Sequence, residues 1–216
     1  MARKKTDSVE TDDKPVEERK KINPLLIWLR DLILLVALVF AFRAVVAEAN
    51  WIPTTSMVPT LEVGDKIIVD KIGLRFGEVH RGDIIIFFPP DHPLVPEEQK
   101  KVRYIKRAIG LPGEMIEVQK DVGVFINGHK LYEPYVRGYP HDPLMPNYNY
   151  GPKEVPEGYY FLLGDNRQES RDSHVWEFCP EDNIIGRAMF RYWPLVRIGT
   201  IENKDFREHY FEEDYP

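Results

Sequence analysis

The stretch "NPLLIWLRDLILLVALVFAFRAVVAEAN" constrains this chain more than any other. Leu32 to Phe42 is an uninterrupted apolar run of 11 residues, and Leu25 to Val46 reaches 22 if Arg30 and Asp31 are tolerated. A helix that crosses a bilayer needs roughly 20 such residues. Arg30 and Arg43 lie near the ends, where long side chains reach the headgroups, and Asp31 can pair with Arg30 or sit at the interface. The stretch therefore reads as one transmembrane anchor over 23–47. Residues 1–22, "MARKKTDSVETDDKPVEERKKI", are polar and aperiodic and read as a flexible tail. Arg19, Lys20 and Lys21 on the near side outnumber Arg43 on the far side, which places the tail in the cytoplasm and everything after residue 48 outside. The basic flank, the apolar core and Ala47-Glu48-Ala49 also resemble a cleavable secretion signal. The long leader and the intervening Arg43 favour a retained anchor. Whether Ala47-Glu48-Ala49 is itself a cleavage site is left open.

From residue 65 the pattern changes to short runs rich in β-branched and aromatic residues. "DKIIVDK" (65–71), "DIIIFF" (83–88), "KVRYIKRAIG" (101–110), "MIEVQ" (115–119), "VGVFI" (122–126), "HKLYE" (129–133), "YYFLLG" (159–164) and "IIGRAMFRYW" (184–193) read as strands. Asn127-Gly128 between two of them is a hairpin signal, since a type I′ turn needs positive φ at both central residues. Residues 134–158, with proline throughout and no period, read as a long surface loop. The end, "IENKDFREHYFEEDYP", is acidic and peripheral. The expected architecture is a mainly β, antiparallel domain over 48–216, preceded by the tail and the anchor.

Composition removes several classes of function. At 216 residues and 43% hydrophobic content the chain buries one ordinary core. A formal charge of −6 without a basic stripe argues against nucleic acid as a partner. The single cysteine, Cys179, excludes an internal disulfide framework and a thiolate zinc cluster, and reads as structural. Six histidines are scattered without metal-ligand spacing, so neither a metal nor another cofactor is expected.

The chemistry then narrows to hydroxyls. Among Ser8, Ser56, Ser170 and Ser173, only the last three lie beyond the tail. No GxSxG elbow occurs, which disfavours an α/β-hydrolase triad. A serine nucleophile still needs a proton acceptor, either a histidine or a neutral lysine. Lys106, alternating with Val102, Tyr104 and Ala108, would lose its proton readily if buried beside them. Taken alone, it reads as a charge that protects a strand edge. Ser56 in "WIPTTSMVPTLEVGD" reads alone as a turn former. "LLGDNRQESRDSHVW" (162–176) reads alone as a solvated, salt-bridged turn. A Ser170–His174 pair there lacks any supporting oxyanion loop.

Together these three stretches resemble bacterial type I signal peptidases, which are membrane-anchored serine proteases with a Ser/Lys dyad. "IPTTSMVPTLEVGD" is similar to that family's IPSGSMxPTL box and "RGDIIIFF" to its GDIVVF strand. "YIKRAIGLPGE" is similar to YIKRxxGLPGD, and "GDNRQESRDSHVW" to GDNRxxSxDSR. The boxes stand in the family's order and cover roughly residues 23–196. The resemblance implies that Ser56 is the nucleophile, Lys106 the general base and Ser170 the residue that orients the lysine. It implies an oxyanion hole made by the Ser56 N–H and the Thr54 hydroxyl. Ile52, Tyr104 and Ile105 would line pockets for small side chains at −1 and −3 of the substrate, and Arg107, Asp165 and Asp172 would stabilise the site by ion pairing. The implied partners are signal peptides of exported preproteins, the lipid bilayer of the bacterial cytoplasmic membrane and the protein-export translocon. Asn50 to Ser56 spans at most about 20 Å, which would hold the nucleophile near the outer interface where signal peptides emerge.

Three departures from the family pattern stand out. Thr55 replaces a glycine, and a β-branched residue there disfavours positive φ. His174 replaces an arginine, so a contact with Asp172 would weaken above neutral pH. Glu114 replaces an aspartate, with little consequence expected. The short segment between the lysine and GDNR boxes suggests a reduced second β subdomain. Competing readings are a self-cleaving Ser–Lys enzyme like the SOS-repressor family, disfavoured by the anchor, a peptidase with another specialised set of substrates, and an inactive anchored β domain that binds peptides within a secretion complex.

Overall fold

The computed structural model describes residues 23–45, 47–136 and 145–201. The polar tail, part of the long loop and the acidic end lie outside the described residues. The chain divides at Phe40/Ala41 into two units. The first carries most of helix α1 (Pro24–Val45), whose 22 residues begin after Asn23 caps the first turn by accepting from Leu25 N–H at 3.0 Å. Its side chains from Leu25 to Val39 are exposed, and Arg30 pairs locally with Asp31 at 2.8 Å, one of the two arrangements expected for Asp31. Among the described residues no helix is long and apolar enough to cross a membrane.

The second unit is mainly β, with every strand pair antiparallel. Its strands are β1 (Ala47–Trp51), β2 (Lys66–Asp70), β3 (Ile84–Phe87), β4 (Tyr104–Gly110), β5 (Met115–Gln119), β6 (Gly123–Ile126), β7 (His129–Lys130), β8 (Tyr150–Glu154), β9 (Tyr159–Leu163), β10 (Cys179–Pro180), β11 (Ile184–Trp193) and β12 (Gly199–Thr200). The main sheet runs β1-β2-β11-β3-β4-β9-β10, with β12 on β11, and the second runs β7-β6-β5-β8. The second sheet occupies the segment expected to form a smaller subdomain.

Period-two alternation builds the core. In β3, Ile84 and Ile86 join a cluster with Met57, Leu61, Ile67 and Val69, whereas Ile85 and Phe87 join another with Ala108, Leu162, Trp176 and Cys179. That strand is buried on both faces, which is why it reads as an unbroken apolar run. A third cluster joins Ile109, Phe161 and Leu163 of the main sheet to Ile116, Val118, Val124 and Ile126 of the second. Each such side chain contributes roughly 1.5–3 kcal/mol by leaving water. Cys179 sits in this interior as a free thiol that burial pushes up to about 12.

Two sequence expectations change. Asn127 (φ 52°) and Gly128 (φ 85°) do form the hairpin, and "MIEVQ" and "IIGRAMFRYW" are strands over their full length. The stretch 134–158, however, is not loop throughout, because β8 pairs with β5 within it. β8 lies at the sheet edge, where Pro152 removes no needed donor. Gly151 is required there: it has φ 79°, and a Cβ would come within 2.4 Å of the Ile116 carbonyl oxygen. Ala47-Glu48-Ala49 belongs to β1, paired with Asp70, Val69 and Ile68, and Glu48 is held by Lys71 (2.6 Å) and Arg103. The helix stops before residue 47, the expected end of the anchor.

Candidate active site

The segment from Ile52 to Asp65 folds into a closed loop whose base is made by Ile52 N–H donating to the Asp65 carbonyl and Gly64 N–H to the Ile52 carbonyl, both at 2.9 Å. Met57 and Leu61, fully buried, fasten it to the core, and Leu61 N–H donates to Met57 O at 2.9 Å. Ser56, 6% exposed, rides on this anchored turn. The hydroxyls that made the stretch look like an ordinary turn are distributed around it: Thr54 Oγ1 lies 3.4 Å from Ser56 Oγ, and Thr60 Oγ1 donates to Asp165 Oδ2 at 2.5 Å.

β4 brings Lys106 to this loop. Its Nζ donates to Ser56 Oγ at 2.8 Å and to the Ile105 carbonyl at 2.9 Å, and it lies 5.7 Å from the Tyr104 ring centroid. Neither hydrogen-bond partner carries a charge. Burial pushes the ammonium down from the ordinary 10.5 to about 8, while the Asp172 and Asp165 carboxylates act in the opposite sense. About a tenth of this lysine is therefore free amine at pH 7 and about half at pH 8, and in that form Nζ can accept the Ser56 proton across the same contact. The pair opens on a cleft of about 370 Å³ whose lining includes Pro53, Val102, Tyr104, Ile105, Glu169 and Arg171. Tyr104 and Ile105 thus lie on the wall of the cleft beside the pair. Ile52 does not line the cleft; at 2% exposure it packs with Met57 and Ile105 in the core behind the serine loop.

The charged residues of the 164–174 segment form the support. Arg107 grips Asp165 with Nε at 2.8 Å and Nη2 at 2.7 Å, both residues being buried. Asp172 accepts from the Gly164 N–H at 2.9 Å and contacts His174 Nδ1 at 2.7 Å, with the His174 ring stacked on Tyr148. Asp172 also caps the short helix α2 (Ser173–Trp176). Ser173 is structural, its Oγ accepting from Leu162 N–H at 2.9 Å. Ser170 Oγ is buried, lies beside Gly164 and the Ser56 carbonyl, and has no hydrogen-bond partner. The expected bond between it and Lys106 is not formed here; the Lys106 Nζ bonds run to Ser56 Oγ and the Ile105 carbonyl.

Several contributors escaped the sequence reading. Arg167, fully buried, reaches the Gly164 carbonyl at 3.0 Å and forms a two-pronged pair with Glu133, which also accepts from Tyr135 at 2.6 Å. Glu133 had no local signal, since it lies 34 residues from its arginine. Glu114, standing where the family pattern has aspartate, binds Arg81 at 2.9 Å and the Leu111 N–H at 2.8 Å. Thr55 keeps a negative φ and donates its hydroxyl to Glu169 at 3.0 Å.

Residues 25–193 match the profile of the family described as signal peptidase, peptidase S26. The chain is 43% identical over 182 residues to signal peptidase I of Leptolyngbya laminosa, covering 84% of this chain and 86% of that one. It is 38% identical over 194 residues to probable signal peptidase I-2 of Synechocystis, covering 88% and 85%. To signal peptidase I of Bacillus amyloliquefaciens it is 35% identical over 192 residues, covering 85% and 95%. A profile that spans most of the chain, with relatives matched over most of their own length, gives one conclusion: this chain belongs to the signal peptidase S26 family.

Proposed function

We propose that this protein is a membrane-anchored serine endopeptidase that removes signal peptides from exported preproteins, cutting after small residues at −1 and −3. The observation that carries the mechanism is the 2.8 Å contact between Lys106 Nζ and Ser56 Oγ, both buried at the edge of the cleft. In this reading the neutral amine of Lys106 takes the Ser56 proton as the oxygen attacks the scissile carbonyl. The developing oxyanion meets the Ser56 N–H and the Thr54 hydroxyl, each such donor being worth about 100- to 1,000-fold in rate. The lysine ammonium then gives its proton to the leaving amine, and a water deprotonated by the same lysine releases the signal peptide from the acyl-enzyme. Once Ser56 is acylated it no longer accepts from the lysine, now a neutral amine, and the unpartnered Ser170 Oγ is the acceptor assigned to orient that amine towards the water. Tyr104 and Ile105 restrict the pockets to small side chains.

The membrane assignment rests on the apolar run read from the sequence, Leu25 to Val46, and on the exposed apolar side chains from Leu25 to Val39 in α1. With the basic residues on the near side, the tail lies in the cytoplasm and the β unit on the outer side of a bacterial cytoplasmic membrane, beside the translocon. The anchor raises the local concentration of two membrane-bound reactants.

The test is cleavage of a preprotein bearing an Ala-X-Ala site by detergent-extracted wild type, Ser56→Ala and Lys106→Ala. Both variants lose activity by a factor of about 1,000 or more; full activity in both would overturn the mechanism. N-terminal sequencing of the membrane-extracted protein checks the retained anchor, which requires a sequence starting within the tail rather than after residue 49.

A further inference from the structure

The peptide that joins Thr55 to Ser56 carries the proposed oxyanion N–H at one end and the Thr55 carbonyl at the other. Being planar and trans, it cannot turn one end without the other, so whatever holds the Thr55 oxygen also aims the Ser56 N–H. That oxygen accepts from Val58 N–H at 3.0 Å and from Asn166 Nδ2 at 3.4 Å. Asn166 N–H also donates to the Ser56 carbonyl at 3.1 Å, so the asparagine grips both sides of the nucleophile. Glu169 completes the arrangement. Its Oε2 accepts from the Thr55 hydroxyl at 3.0 Å and from Asn166 Nδ2 at 3.3 Å, while its N–H donates to the Asn166 carbonyl at 3.2 Å. One carboxylate oxygen thus ties the side chain of the residue before the nucleophile to the amide that holds that residue's carbonyl.

We infer that Glu169 and Thr55 are a matched positioning pair that orients the Thr55–Ser56 peptide and so the oxyanion N–H. A glycine before the serine offers no side chain to hold. Threonine supplies a hydroxyl, and only an acceptor at 169 makes use of it. The inference rests on the reading of Ser56 as nucleophile. Both partners are exposed in the free protein, where water competes for the bond, and Glu169 lines the cleft. A bound substrate displaces that water and strengthens the bond. The pair therefore acts on turnover rather than on folding.

The experiment is a double-mutant cycle on the full chain, measuring kcat and KM for the same preprotein. Thr55→Val and Glu169→Ala each lower kcat by about tenfold, the size of a hydrogen bond with one charged partner. KM stays within about twofold, and the double variant is no slower than either single one. Thr55→Ser, which keeps the hydroxyl, stays within about twofold of wild type. Losses that multiply to about a hundredfold, losses confined to KM, or a serine variant as slow as the valine one would each overturn the pair. So would a lowered melting temperature with kcat unchanged, which would mark a structural brace. Ser56→Ala is run alongside: if it still cleaves, the nucleophile assignment has failed, whereas independent effects in a Ser56-dependent enzyme defeat the pair alone.

Discussion

Lys106 and Arg107 are neighbours on one strand, each almost wholly buried at 4% and 1% exposure, and burial acts on both to disfavour the charged form. The outcomes are opposite. Arg107 holds Asp165 through two hydrogen bonds, and that carboxylate more than offsets its desolvation, raising it above the ordinary arginine value. Lys106 has only a hydroxyl and a carbonyl within reach and is pushed down to about 8. Adjacent residues point to opposite faces of a strand, so one peptide step separates a cation made permanent from one made titratable. Burial is common to both, and the presence of a carboxylate within hydrogen-bonding reach decides the result.

Removing the carboxylate is the severest way to break this contrast. Asp165→Ala leaves the Arg107 guanidinium buried without its counter-charge and frees the Thr60 hydroxyl, and the protein loses about 3–5 kcal/mol in urea unfolding. Lys106→Met tests the other side, and its stability effect has the opposite sign. Below pH 8 the lysine is protonated in both the folded and the unfolded chain, and the folded state carries the full cost of burying the charge, on the order of 3 kcal/mol. Between pH 8 and 10.5 the folded lysine has lost its proton and that cost fades. The inactive Lys106→Met protein therefore melts above wild type at pH 7, and the gap closes as the pH approaches 10.5. A gap that persists unchanged at pH 10.5 would show that packing rather than charge explains it. Thr60→Val removes one hydrogen bond from Asp165 and the longer one from Arg107 Nη2 (3.3 Å) while leaving the Arg107–Asp165 pair, and costs about 1 kcal/mol in the same urea assay. The mildest change sharpens the comparison at long range. Asp172 raises Lys106 without touching it, so Asp172→Asn moves the midpoint of the pH–rate profile below that of wild type.

How far the sequence disclosed this depended on the range of each interaction. The alternation in "YIKRAIG", the Asn127-Gly128 turn and the boxes around Ser56, Lys106 and Asp165 are local patterns, and the structure places those residues in one site. β8 was hidden because glycine and proline mark it as loop, and only its edge position makes them tolerable. The family resemblance assigned Ile52 to the substrate pockets, but Ile52 packs in one core cluster with Met57 and Leu61, which draws the base of that loop inward. Glu133 and Arg167, and Thr55 and Glu169, are charge and hydroxyl partners separated by 34 and 114 residues, and nothing in either neighbourhood names the other. The missing bond from Ser170 to Lys106 has a similar origin, since the spacing of the boxes says which residues gather but not which hydrogen bonds the gathered groups choose.

The account turns on Lys106 acting as a neutral base, and the pH dependence of kcat/KM for preprotein cleavage reports the free enzyme's essential base. The prediction is a rise of about tenfold per pH unit below pH 8, levelling off near pH 8, where Lys106 titrates. A profile that is flat from pH 6 to 10, or one that keeps climbing to the ordinary lysine value of 10.5, would contradict it.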